Sequence, residues 1–108
     1  MKTILFPTDF SDNARNALRY AVPFAERMKA RLILLHVYPF PAVYAEAPLA
    51  IMDQETALMR STAQEQLILL AEEVRTQSPG IECETLAVQG PVTGQILSVA
   101  RDKAADGI

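Results

Sequence analysis

Two short stretches of the chain, 3–6 and 32–38, are almost continuously apolar and rich in Ile, Leu and Val. Apolar runs of this length are typical of parallel β-strands that are covered on both faces of a sheet. A third stretch, 83–88, alternates more between polar and apolar residues, which is typical of a strand nearer the edge. The pattern therefore predicts three β-strands.

The stretch between the first two strands has apolar residues at helical spacing. Ser11 or Asp12 can cap this helix at its start. Pro23 lies inside it and predicts a kink near residues 19–23, because proline removes one backbone hydrogen bond. We expect the inward face of this helix to carry Ala14, Ala17, Leu18, Ala21, Val22, Ala25 and Met28.

Two further helices follow the second and third strands. One ends before the Ser-Pro-Gly sequence at 78–80, and the other begins after Gly90-Pro91 with proline in its first turn. The inward residues expected of the earlier one are Met52, Met59, Ala63, Leu67, Leu70 and Val74. Those expected of the later one are Val92, Ile96, Leu97, Ala100 and Ala104.

The order of elements is therefore β-α-β-α-β-α in a single domain over residues 1–108. Because crossovers between parallel strands are right-handed, this order predicts an α/β fold, a three-layer α/β/α open parallel sheet with helices on its faces. The segment 39–50 is long for a connection and holds three prolines. It is interpreted as a lid, a partner-binding loop or a tether.

Composition excludes several classes of function. Lys and Arg number 10 against 13 for Asp and Glu, so the net charge is −3 and nothing favours nucleic acid as a partner. The apolar runs are far shorter than the ~20 residues of a membrane span, and no signal peptide is visible, so we expect a cytoplasmic protein without a membrane partner. One cysteine and one histidine exclude an internal disulfide and a structural zinc site.

Four features admit both a structural and a functional interpretation. Asp9 either caps the first helix or contacts a ligand. His36 is expected to be a buried strand residue with a hydrogen-bonded ring rather than a catalyst, and Cys83 a small strand residue rather than a nucleophile. Gly90-Pro91 is expected to form a tight turn, the alternative being anion binding at the helix start.

The sequence resembles the universal stress protein family over essentially its whole length. The resemblance rests on Phe6-Pro-Thr-Asp-Phe-Ser11 before an alanine-rich helix, on Leu34-Leu-His-Val37, on Val88-Gln-Gly-Pro91, and on Ile96–Arg101 with Ala105-Asp106. It implies a Rossmann-like, adenine-nucleotide-hydrolase-like fold with strand order 3-2-1-4-5.

The resemblance also implies half of a nucleotide site. Pro7, Thr8 and Asp9 would contact the adenosine of ATP, and Val37 would pack on the adenine. The family's later glycine motif, G-x2-G-x9-G-[ST], is not present, and strands 4 and 5 are absent. We therefore expect the natural chain to continue past Ile108, and β-strand 1 to be an edge with unpaired backbone groups and an exposed apolar flank.

Two functions follow from this resemblance. The first is an ATP-binding regulatory protein of the stress response, a homodimer or a tandem of such domains, with any Mg²⁺ held through the phosphates and at most slow hydrolysis. The second is a nucleotide-free dimerising adaptor. A phosphoacceptor receiver domain fits less well, because its third strand would end in aspartate, whereas this one ends in Val88-Gln89.

Overall fold

A computed structural model describes residues 2–40 and 49–108, with side chains in the second range described from Asp53 onwards. Three strands alternate with three helices, as the sequence predicts. The elements are β1 (Lys2–Pro7), α1 (Asp12–Arg27), β2 (Ala30–Tyr38), α2 (Leu49–Gln77), β3 (Cys83–Gln89) and α3 (Val92–Asp102). Most of the long connection, residues 41–48, and the side chain of Met52 lie outside the described residues.

The three strands form one parallel sheet in the order β1-β2-β3. Leu5 of β1 lies beside Ile33 of β2, and Leu35 of β2 lies beside Leu86 of β3. The predicted parallel sheet is confirmed, and its order corresponds to the first three positions of 3-2-1-4-5.

Both faces of the sheet are covered, which confirms the three-layer architecture. Alternate residues of a strand point to opposite faces, so Leu32 and Leu34 enter one core while Ile33 and Leu35 enter the other. The first core contains residues of α1 and α2, namely Leu18, Val22, Leu67, Leu70, Ala71 and Val74. The second contains Leu5, Val37 and, from α3, Val99.

Helix α1 begins at a serine cap and continues through its internal proline. Ser11 is the N-cap, and its Oγ accepts a 3.1 Å hydrogen bond from the backbone N–H of Ala14. Pro23 has no N–H to donate to the carbonyl of Arg19. The side chain of Gln77 on α2 donates to that carbonyl instead, over 3.2 Å, so the acceptor is satisfied from a neighbouring helix.

The inward face of α1 is narrower than the sequence predicts. Leu18, Val22 and Ala25 are buried, whereas Ala17 and Met28 are exposed. Helical spacing identifies an apolar stripe, but the neighbouring elements decide which part of the stripe they cover.

The prediction for α2 is largely confirmed, because Ala63, Leu67, Leu70 and Val74 are buried together with Ala71.

Helix α3 departs further from its predicted face. Val92 and Leu97 are 54% and 56% exposed, and Val99, which was not predicted, is the buried residue of this helix. Ala104 lies beyond the end of the helix at a positive φ of 51°. Pro91 is the N-cap rather than a first-turn residue. The physical reason is that Val99 faces the core of Leu5 and Ile33, with Ile96 and Ala100 packed beside it. Leu97 lies almost on the opposite side of the helix, and Val92 lies on the same side as Val99 but two turns earlier, at the exposed start of the helix.

The outer edge of β1 is paired along part of its length, contrary to the expectation of an unpaired edge. The N–H of Leu5 donates to the carbonyl of Gly107 over 2.8 Å, and the N–H of Asp106 donates to the carbonyl of Thr3 over 2.7 Å. The side chain of Asp106 accepts a further 2.8 Å hydrogen bond from the N–H of Thr3. Leu5 itself is fully buried.

Candidate functional site

A cleft of about 460 Å³ opens at the carboxyl ends of β1 and β2. All four residues that the family resemblance associates with adenosine line this cleft. Pro7 ends β1, Thr8 and Asp9 follow directly, and Val37 lies near the end of β2. The remaining lining residues are Ser11, Asn13, Ala14, Leu35, His36 and Val92. The volume lies within the usual range of small-molecule sites, about 300–1,000 Å³.

The position of the cleft follows from the topology of the sheet. Helices α1 and α2 lie on one face and α3 lies on the other, while Gly107 bridges to Ile4 on the side of β1 away from β2. The chain therefore reverses its direction across the sheet next to β1. Crevices at such a switch point, beyond the carboxyl ends of the strands, are where open α/β sheets bind ligands.

Pro7 brings no backbone donor to the outer edge of β1. Thr3 and Leu5 direct their backbone groups toward residues 106 and 107, and the alternation of a parallel ladder gives Pro7 the same side. Proline has no N–H, so β1 cannot donate a ladder hydrogen bond at this position, which borders the cleft.

Thr8 is held by three hydrogen bonds. Its N–H donates to the carbonyl of Leu35 over 2.8 Å, its Oγ1 accepts from the N–H of Phe10 over 3.1 Å, and its carbonyl lies 2.8 Å from Nδ1 of His36. The residue is buried. The first wall of the cleft therefore has a rigid backbone.

Asp9 presents an exposed carboxylate at the mouth of the cleft. Its Oδ1 accepts a 2.9 Å hydrogen bond from the N–H of Ser11. Hydrogen bonds from Ser11, from its side chain first and its backbone second, lower the pKa of Asp9 below the ordinary value of 3.8. Asp9 thus orders the turn into α1 and is ionised in the cleft at neutral pH, so its structural and ligand-binding interpretations are compatible.

The family model of the universal stress protein family matches residues 1–108. The chain belongs to this family. The match confirms the resemblance drawn from the Phe6–Ser11 motif, and it agrees with the parallel sheet and the cleft beyond β1.

Several solved structures have the same fold as this chain. A universal stress protein family member from Burkholderia pseudomallei superposes with a TM-score of 0.74 at 23% identity, covering 96% of this chain and 76% of its own. Hypothetical protein MJ0577, the subject of a structure-based assignment of biochemical function, has a TM-score of 0.79 at 26% identity, with coverages of 97% and 70%. A universal stress protein in complex with cAMP has a TM-score of 0.71 at 18% identity, with coverages of 97% and 72%. The comparison with curated protein sequences gives no match.

His36 is a strand residue with a hydrogen-bonded ring, as expected, but it is partly rather than fully buried. A carbonyl oxygen only accepts, so Nδ1 of His36 carries the hydrogen that bonds to Thr8. The ring also lies 4.5 Å from that of Phe10, centroid to centroid. Phe10 is a residue that the sequence reasoning missed, although it stands inside the family motif.

The opposite rim of the cleft is set by the β3–α3 turn. Gly90 has a φ of +141°, and a Cβ at this position would come within 2.8 Å of Nε2 of Gln95. Its N–H donates to the carbonyl of Tyr38, and Gln95 donates to the carbonyl of Gln89. The expected tight turn is present, and it places Val92 at the rim.

The residues that the structure describes were also compared with the requirements of a thiol nucleophile, a metal site and a membrane-spanning helix. Burial raises the pKa of the Cys83 thiol above its ordinary 9.0, which disfavours the thiolate needed by a nucleophile. Residues 2–40 and 49–108 contain no group of three or more His, Cys, Asp or Glu side chains placed to hold a metal ion. Among the described helices, none is both long and apolar enough to cross a membrane.

The lowered pKa of Asp9 predicts acid-dependent stability. A carboxylate whose pKa is lower in the folded state stabilises the fold above the unfolded-state pKa, and this contribution disappears as the pH falls through the folded-state pKa. We therefore expect the advantage of the parent protein over Asp9→Asn to be present at neutral pH, to begin to decline near about pH 4, and to be lost as the pH falls through the lowered folded-state pKa. Urea unfolding across this range measures it.

Asp53→Asn is the matched control, because Asp53 is exposed on α2 and does not line the cleft. Direct titration of the Asp9 carboxyl carbon by NMR checks the cause. An Asp9 carboxyl that titrates at or above 3.8 would contradict the prediction.

Proposed function

We propose that this chain binds an adenine nucleotide, with ATP as the ligand, and acts in the cytoplasm as a regulatory protein of the stress response. The observation that supports this most is the gathering of Pro7, Thr8, Asp9 and Val37 around one cleft at the switch point of the sheet. These are the residues that the family resemblance associates with adenosine.

The chemistry of the lining suits the nucleoside end of such a ligand. Leu35 and Val37 supply apolar surface for a flat base, while Asp9 supplies an acceptor for hydroxyl or amino groups. Because Asp9 is ionised, it would repel a triphosphate and attract the neutral adenosine end. The phosphates would then extend away from Asp9, and a Mg²⁺ ion would be bound chiefly through them.

Turnover of the nucleotide is expected to be slow. The ionisable side chains that line the cleft are Asp9 and His36. The Nδ1–H of His36 donates to the carbonyl of Thr8, which leaves Nε2 as its one basic nitrogen, and among the described residues no further ionisable side chain lines the cleft to orient a nucleophile beside it. A general base must reach the proton that it removes, and Asp9 has one oxygen occupied by Ser11. Binding rather than catalysis is therefore the proposed role.

Isothermal titration calorimetry with ATP and GTP tests the proposal. We expect saturable binding of ATP and much weaker binding of GTP. Val92→Asp places a negative charge at the rim and should weaken ATP binding roughly tenfold, which corresponds to about 1.4 kcal/mol. Leu97→Asp is the matched control, since Leu97 is an equally exposed apolar residue of α3 that does not line the cleft.

The alternative function is a nucleotide-free dimerising adaptor. It is favoured by Tyr20 and Phe24, which lie one turn apart on α1 and are 81% and 57% exposed. Exposed aromatic side chains of this kind are enriched in protein interfaces. Absence of any heat with ATP, together with a nucleotide-independent dimer in sedimentation velocity, would select this alternative. A homodimer that also binds ATP would agree with the main proposal.

A further inference from the structure

Phe10 has a backbone conformation that is unusual for its residue type and position. Its φ is +64°, and Lys29 and Ala104 are the other non-glycine residues with positive φ among those the structure describes. Those two follow the C-caps of α1 and α3, where the left-handed conformation is common. Phe10 instead precedes a helix, and a bulky residue in this region is strained unless its surroundings hold it.

Two contacts hold Phe10 in place. Its N–H donates to Oγ1 of Thr8 over 3.1 Å, and its ring lies 4.5 Å from the His36 ring at an interplanar angle of 39°. The ring also lines a second cavity of about 330 Å³ together with Tyr38 and Met59, on the side of the sheet covered by α1 and α2. Phe10 does not line the cleft itself.

His36 connects this second cavity to the cleft, because it lines both. Its ring is fixed on one side by Phe10 and at Nδ1 by the carbonyl of Thr8. Phe10, His36 and Thr8 therefore form a closed set of contacts. The turn at Thr8 and Phe10 fixes the orientation of the His36 ring, and the His36 ring in return supports the backbone conformation of the turn. Asp9 lies within this set and projects at the mouth of the cleft.

We propose that Phe10 is a positioning residue for the cleft: by packing its ring against His36 it holds the left-handed turn that presents Thr8 and Asp9 in the geometry required by the ligand. A turn ordered before binding does not have to be ordered by the ligand, which raises affinity. The binding part of this inference rests on the proposed nucleotide function. The positioning part concerns His36 and can be tested without a ligand.

The first test is the tautomer of His36, read from its ring ¹⁵N shifts in mildly alkaline solution. The chain has one histidine, so the signal is unambiguous. The parent protein should show the Nδ1–H form, and Phe10→Ala should show a mixture of tautomers. Phe10→Tyr should restore the single form, and Phe24→Ala on the exposed side of α1 should keep it. An unchanged His36 signal in Phe10→Ala would overturn the proposal.

Phe10→Gly separates the ring from the backbone. Glycine adopts positive φ without strain, so this variant should fold even if Phe10→Ala does not. We expect it to lose the single tautomer as well, because the stacking ring is gone. A folded Phe10→Gly protein that keeps the Nδ1–H form would show that the backbone turn alone is sufficient, against the proposal.

The second test is ATP affinity by calorimetry. Phe10→Gly should bind roughly tenfold more weakly, the scale expected for ordering a turn on binding, and Phe10→Tyr should bind like the parent. Val74→Ala, which removes a buried core side chain that does not line the cleft, should lower stability without changing affinity. Equal affinity of the parent and Phe10→Gly would overturn the inference. A parent protein that binds no ATP would instead refute the proposed function and leave the His36 test standing.

Discussion

ATP at a hundredfold excess over its dissociation constant is expected to raise the unfolding midpoint of this chain by roughly 10–20 °C. A ligand that binds only the folded state at that excess stabilises it by about 2.7 kcal/mol. For a domain near this size, each kcal/mol shifts the midpoint by about 4–8 °C. The effect is large because small domains have small unfolding entropies.

Differential scanning calorimetry measures this shift. Comparing the shifts produced by ATP, GTP and inorganic triphosphate shows which part of the ligand is recognised. ATP should shift the midpoint, whereas GTP should shift it much less at the same concentration. Inorganic triphosphate distinguishes recognition of adenosine from simple anion binding. A shift of equal size with triphosphate would contradict the role assigned to Val37 and Asp9, and no shift at any ATP concentration would contradict nucleotide binding.

Replacing Leu67 by alanine is expected to lower the free energy of unfolding by about 2–5 kcal/mol, the range for a large-to-small substitution in a core. Leu67 is 1% exposed and belongs to the cluster in which α1 and α2 meet Leu32 and Leu34. The substitution removes the buried methyl groups and leaves a cavity, because close-packed neighbours collapse only partly. Since small domains have only about 5–15 kcal/mol in total, this is a large fraction of their stability.

Leu69→Ala is the control with the same chemical change on the same helix. Leu69 is 59% exposed, and substitutions at such surface positions usually change stability by about 0.5 kcal/mol or less. Urea unfolding of both variants at equal slope gives the comparison. A loss for Leu69→Ala as large as that for Leu67→Ala would mean that Leu69 is buried in solution by another surface.

The proposed site joins elements from both faces of the sheet. Asp9 and Ala14 belong to the β1–α1 side, whereas Val92 belongs to α3 on the opposite face. A ligand in the cleft would contact both groups and so favour one relative position of the two layers.

Local patterns were sufficient to predict the elements and their order. Continuous apolar runs can be buried on both faces only as interior strands, and the caps at Ser11 and at Ser78-Pro79-Gly80 mark where helices must begin and end. The alternation of strands and helices then permits only parallel strands, because right-handed crossovers are required. The resemblance to the family, rather than any local pattern, predicted that Pro7, Thr8 and Asp9 share a site with Val37.

Other features depend on contacts between residues far apart in sequence. Val99 rather than Leu97 is the buried residue of α3, because Val99 faces the sheet whereas Leu97 lies almost on the opposite side of the helix. The pairing of Thr3 with Asp106 spans the length of the chain, so no local pattern reveals it.

The role inferred for Phe10 likewise depends on His36, which arrives from another strand. The sequence alone therefore determined where the strands, helices and cleft would form, because local periodicity and crossover handedness are encoded along the chain. Only the tertiary structure decided that Asp106 pairs with the outer edge of β1 and that His36 orders the turn after β1, because those contacts exist only after distant segments have packed together.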